Sequence, residues 1–105
     1  MKLKNIFALL MLSLVLVQAK AQKAAPDQLE TKKGPLTIQP VQHAATVLKW
    51  DNKTIYVDPA GGANLFTGLD VPDLILITDI HGDHMDLKTL EAINTSKATL
   101  VVPQA

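Results

Sequence analysis

The distribution of apolar positions divides the chain into an apolar leader, a polar stretch and a region of short alternating runs. Ile6 to Val17 is apolar except for Ser13, behind Lys2 and Lys4 and ahead of Ala19-Lys20-Ala21. A positive start, an apolar middle and small residues before a cut are the order of a secretory signal. The pattern predicts a signal over residues 1–21, cleavage after Ala21, and export to the periplasm or beyond the cell. The apolar run is shorter than the roughly 20 residues that a membrane span needs, so no stable membrane anchor is expected. Gln22 to Gly34 is polar and lacks apolar periodicity, and residues 22–35 read as a linker.

Order is expected from Leu36. Thr37-Ile38-Gln39-Pro40-Val41 has β-type composition, and Pro40, which cannot donate to a ladder, predicts an edge strand or a strand end. Ala45 to Trp50 alternates loosely, Asp51-Asn52 offers turn chemistry, and Thr54-Ile55-Tyr56-Val57 follows, which together predict a β-hairpin. Ala60 to Val71 reads as a loop. Leu74 to Ile77 is apolar without alternation, the pattern of a strand covered on both faces. Asp86 is placed to cap a helix whose apolar face is Leu87, Leu90 and Ile93. Thr99 to Val102 is a further strand, closed by Pro103. A hairpin followed by a β-α-β unit defines an α/β layered arrangement. A buried strand needs neighbours on both sides, and the chain offers few residues to supply them. The pattern therefore predicts a domain cut short at Ala105.

Composition narrows the function classes. The chain has 105 residues, no cysteine and three histidines. Its basic residues are all lysines, ten against ten acids, and removal of the leader would take Lys2, Lys4 and Lys20, leaving the remainder acidic. A nucleic-acid binder carries a basic patch rich in Arg and Lys, so that class is set aside. Without disulfides, a small exported domain depends on its core or on a metal.

The chemistry concentrates in Thr78-Asp79-Ile80-His81-Gly82-Asp83-His84-Met85-Asp86, directly after the apolar strand. Open α/β sheets place their sites beyond the carboxyl ends of strands. Two imidazoles and three carboxylates crowded there are costly to bring together without a counter-charge, and a divalent cation provides one. In an extended loop Asp79, His81 and Asp83 would point the same way and His84 elsewhere. Imidazole and carboxylate without thiolate suit zinc, and also iron or manganese. An EF-hand is excluded, because His84 stands where that loop requires glycine.

This stretch resembles the His-x-His-x-Asp-His signature of the metallo-β-lactamase superfamily. Gln42-His43, Val57-Asp58-Pro59 and Pro72-Asp73-Leu74-Ile75-Leu76-Ile77-Thr78 are similar to the motifs preceding it in the branch of ascorbate-6-phosphate lactonases and related metal-dependent hydrolases. The resemblance covers about Leu36 to Ala105. It implies the N-terminal portion, residues 36–105, of a four-layer αββα sandwich that binds one or two metals, commonly zinc. It implies His81 as a ligand of the first metal, with Asp83 and His84 holding the second. Asp83 would also orient or deprotonate a water whose pKa the metal lowers to about 7. The substrates implied are small molecules: esters, lactones, lactams or phosphodiesters. Asp79 stands where the family signature has histidine; a carboxylate still ligates, so Asp79 joins His81, Asp83 and His84 as the expected metal set. The family's later ligands lie downstream and have no counterpart here, which leaves a non-catalytic, truncated metal-binding remnant as the alternative. His43 reads as a hydrogen-bonded loop histidine and Asp58 as an acceptor of backbone hydrogen bonds behind the site. Gly61-Gly62 reads as loop, Trp50 and Tyr56 as packing residues.

Overall fold

The computed structural model describes residues 23–104, so the leader predicted over residues 1–21 lies outside the described residues. Six strands form one sheet in chain order: β1 (Asp27–Thr31), β2 (Gly34–Gln42), β3 (Ala45–Trp50), β4 (Lys53–Val57), β5 (Leu74–Leu76) and β6 (Thr99–Val101). The first four run antiparallel, and β4, β5 and β6 are parallel to one another. A 3-10 turn (Ala63–Phe66) and a helix, α1 (Leu87–Ala92), occupy the crossovers. This is the mixed α/β arrangement that the pattern predicts, hairpin first and β-α-β after it.

The β3–β4 hairpin closes through Asp51 and Asn52, both at positive φ (48° and 58°), the paired left-handed conformation of a tight hairpin turn. Side chains alternate across the sheet from there. Val47, Tyr56 and Ile75 stand opposite one another in register and form the core with Ala45, Phe66 and Ile77. Tyr56 stacks on Phe66 at 5.1 Å between ring centroids, and its hydroxyl donates to the Asp70 carbonyl at 2.7 Å. Leu90 and Ile93 of the helical segment pack against this cluster, whereas Leu87 is exposed. Asp86 caps α1, accepting from the backbone N–H groups of Lys88 and Thr89.

Three expectations are corrected. Residues 22–35 are not a linker throughout: Asp27–Thr31 pairs with β2 as an edge strand. Its polarity is that of a strand exposed along nearly its whole length, which composition does not separate from a spacer. Pro40 lies in an interior strand, but β1 reaches only Ile38 along β2, and the β2–β3 ladder shifts register between Pro40 and Gln42. On the β1 side, no strand among the described residues lies beside Pro40 to require an N–H from it. Finally, β5 is covered on one face among the described residues: Ile75 and Ile77 are buried, Leu74 and Leu76 half-buried.

Candidate metal centre

Strand direction brings three separate segments to one edge of the sheet. Because β4 and β5 are parallel, Asp58 and Thr78 emerge together from their carboxyl ends. Because β3 opposes β4, the β2–β3 turn arrives at the same edge, with Thr46 against Val57. That turn carries His43, at a φ of 51° and beside the register shift in β2. Bulged strands re-aim a side chain in this way.

Asp58 is the anchor. It is 2% exposed, and its carboxylate accepts the Thr78 backbone N–H at 2.7 Å and the Thr78 hydroxyl at 2.5 Å. The same carboxylate lies 2.8 Å from His84 Nδ1. Burial pushes the carboxyl up, but the hydrogen bonds from the Thr78 hydroxyl, His84 and the Thr78 amide outweigh it and hold the group below the ordinary aspartate value. The bond to Asp58 raises His84 above the ordinary histidine value, against a partial lowering by desolvation, with Asp83 and Asp79 adding to the rise. When His84 is neutral, the proton held on Nδ1 toward Asp58 leaves the Nε2 lone pair facing outward.

The loop after β5 is not extended. The His84 and Met85 amides both donate to the His81 carbonyl, at 3.0 and 2.8 Å, and this turn separates the predicted ligands into two groups. Asp83 and His84 fall together with His43: His43 Nε2 lies 3.0 Å from Asp83 Oδ2, and His84 Nε2 lies 3.7 Å from the same oxygen. One donor atom from each of the three lies within 4.8 Å of the others. Asp79 and His81 stand outside this group and engage each other, Asp79 Oδ1 accepting the His81 amide at 2.8 Å and contacting His81 Nδ1. That amide bond is the main cause holding the Asp79 carboxyl below its ordinary value.

The cavity at this edge has a volume of about 570 Å³ and is lined by Gln42, His43, Ala60, Gly61, Gly82, Asp83 and Asp86. Gly61 has a φ of 91°, a left-handed conformation that side-chain-bearing residues rarely adopt, which favours glycine there. The Gly61 and Gly62 amides donate to Asp86 Oδ2 at 3.1 Å and Thr89 Oγ1 at 2.9 Å. They tie the loop to the start of α1. A second cavity, about 430 Å³, lies at the opposite edge around Trp50 and holds none of the histidines.

The donor set fits a divalent transition ion. Tetrahedral zinc with bonds of about 2.0–2.2 Å sets its ligand atoms about 3.3–3.6 Å apart, and the 3.0 and 3.7 Å separations from Asp83 Oδ2 lie close to either end of that range. Two imidazoles and a carboxylate are the donors of open, three-ligand zinc sites, and Asp58 stands behind His84 where an outer carboxylate would orient an imidazole. His43, read from the sequence as a hydrogen-bonded loop histidine, does hydrogen-bond, to Asp83, but sequence reasoning did not assign it to this group. Its position just before the hairpin was visible, but not that antiparallel pairing returns the turn to the carboxyl end of β5.

The same residues relate the chain to known proteins. The crystal structure of a "putative metal-dependent hydrolase" from Parabacteroides distasonis ATCC 8503 superimposes with a TM-score of 0.63 at 37% sequence identity, covering 72% of this chain and 35% of that one. No curated protein matches the chain. A family model described as a beta-lactamase superfamily domain matches residues 37–104, from β2 through β6. With that match spanning most of the chain and the signature loop at the carboxyl end of β5, this protein belongs to the beta-lactamase superfamily.

Proposed function

We propose that this domain carries the first metal ligands of a metal-dependent hydrolase acting on a small molecule with an ester, lactone, lactam or phosphodiester bond. The observation that carries the reading is the convergence of Asp83 and His84 at one sheet edge with Asp58 bonded behind His84. Asp83 and His84 would hold one ion, with zinc favoured by the nitrogen and oxygen donors and iron or manganese as the other candidates. Asp79 and His81 would serve a neighbouring position by exchanging their mutual contact for an ion. A bound divalent cation supplies Lewis acidity and acidifies water.

The chain's own residues do the rest. Asp58 fixes the ring plane and tautomer of His84 through Nδ1. Asp83 Oδ2 faces the two histidines, which leaves Oδ1 to take the proton from the attacking water. The cavity beside Gly61 and Gly82 admits the substrate. The leader pattern over residues 1–21 supports export, and we propose that the activity operates in the periplasm or outside the cell.

Full-length protein purified without added metal provides the test. Elemental analysis showing a bound transition ion, with turnover on an ester, lactone, lactam and phosphodiester panel that a chelator abolishes and zinc restores, supports the reading. Protein that retains no transition ion overturns it. Metal retained with no turnover on any panel member overturns the hydrolase and leaves a binding module.

A further inference from the structure

We propose that His43, on the turn between β2 and β3, is itself a metal ligand, completing with Asp83 and His84 a three-residue site drawn from two distant segments of the chain. The inference rests on the metal-binding reading above and goes beyond it, because that reading needs only the loop after β5.

Three observations converge on His43. The first is position: its Nε2 lies 3.0 Å from Asp83 Oδ2, and its ring meets the His84 ring at 5.7 Å between centroids and 67° between planes. The three donor atoms thus surround one point, within 4.8 Å of each other. The second is backbone conformation. His43 has a φ of 51°, a region that non-glycine residues rarely occupy and that collects at ligand-holding positions. A turn needing that φ for its own sake is served better by glycine or asparagine. The imidazole at that position is what the turn gains. The third is the ladder: the register shift between Pro40 and Gln42 immediately precedes His43 and sets the direction in which the turn delivers its side chain.

The chemistry distinguishes a ligand from a mere hydrogen-bond partner. The side chains of His43 and Asp83 are 60% and 57% exposed, and an exposed His–Asp pair on its own contributes little. An ion between them changes the balance, since each donor replaces water on the cation. Two imidazoles and one carboxylate would supply three of the four ligands that a tetrahedral ion takes. Asp58 and Thr78 hold His84 from behind, while among the described residues the His43 side chain hydrogen-bonds only Asp83, the contact that a shared ion would replace.

Zinc and cobalt titrations of the full-length protein test this, using wild type, His43→Asn and His84→Asn. Asparagine keeps the left-handed turn, and circular dichroism verifies the fold of each variant. His43→Asn is expected to weaken zinc binding on the order of 100-fold, at or above the top of the range seen when an outer partner is lost, and to shift and weaken the visible absorption of the cobalt form. Histidine ¹⁵N shifts should move at His43 Nε2 on adding zinc to wild type. If wild type binds zinc, His84→Asn loses it and His43→Asn retains both affinity and cobalt spectrum, the assignment of His43 is overturned while the metal-binding reading stands. If wild type itself binds neither metal, both are overturned.

Discussion

His84 Nδ1 lies 2.8 Å from the carboxylate of Asp58, which is 2% exposed. The bond joins the loop after β5 to the end of β4. It also decides which ring nitrogen of His84 is turned toward Asp83. Asp58→Ala removes the acceptor of the Thr78 amide and of His84 together. A fully buried orphaned donor costs about 1–3 kcal/mol. Thr78 is exposed and His84 half-buried, so the loss should fall at the low end of that range, while loss of an outer carboxylate weakens metal binding by roughly 10–100-fold. Urea denaturation of metal-free protein and zinc titration should both register the change. A variant with wild-type stability and wild-type affinity would show that Asp58 does not orient the ligand.

The same pair sets a pH optimum for the metal-free domain. His84 is raised by its bond to Asp58, so its contribution to stability is full below its unfolded value and is lost as pH rises through the folded one. Asp58 is lowered by the bonds from Thr78 and His84, so its contribution is present above its unfolded value and is lost as pH falls through the folded one. Stability in chelator should therefore peak between the two folded values and decline on both sides. Denaturation midpoints across pH test this, and His84→Asn should flatten the alkaline limb. Zinc binding, which needs an unprotonated Nε2, should weaken as pH falls through the raised His84 value.

Core and surface leucine-type residues should separate cleanly. Ile75 is 1% exposed at the centre of the sheet, and Ile75→Ala should cost about 2–5 kcal/mol through lost burial and the cavity left behind. Leu87, in the first turn of α1, is 62% exposed, and Leu87→Ala should fall within about 0.5 kcal/mol of wild type. Thermal unfolding distinguishes the two. Equal losses would mean that α1 packs by its Leu87 face.

Asp79 and His81 bind each other through the Asp79 carboxylate. Asp79→His removes that acceptor and adds an imidazole, and it should raise zinc affinity or stoichiometry in equilibrium dialysis. Unchanged stoichiometry and affinity would show that position 79 does not ligate.

Much of this was legible from residue order. The hairpin announced itself through Asp51-Asn52, β5 through its unbroken apolar run, and α1 through Asp86, because each depends on local conformation and side-chain period. The signature loop pointed to metal because its residue types have few other reasons to crowd together. What was not legible depended on pairing between distant segments. Asp27–Thr31 is a strand only because β2 offers it an edge. Asp83 parts from Asp79 and His81 only because the chain turns at the His81 carbonyl. His43 joins the group only because β2 and β3 return it to the end of β5. Gly61 and Gly62, read as plain loop, proved to be fastened to Asp86 and Thr89.

The separation of 40 residues between His43 and Asp83 has a thermodynamic corollary. An ion held by both would act as a removable cross-link across the antiparallel and parallel halves of the sheet. Occupancy would then be coupled to unfolding by mass action, worth about 2.7 kcal/mol at a free ion concentration 100 times the dissociation constant. The melting temperature of the domain would then be a gauge of how much ion its surroundings supply.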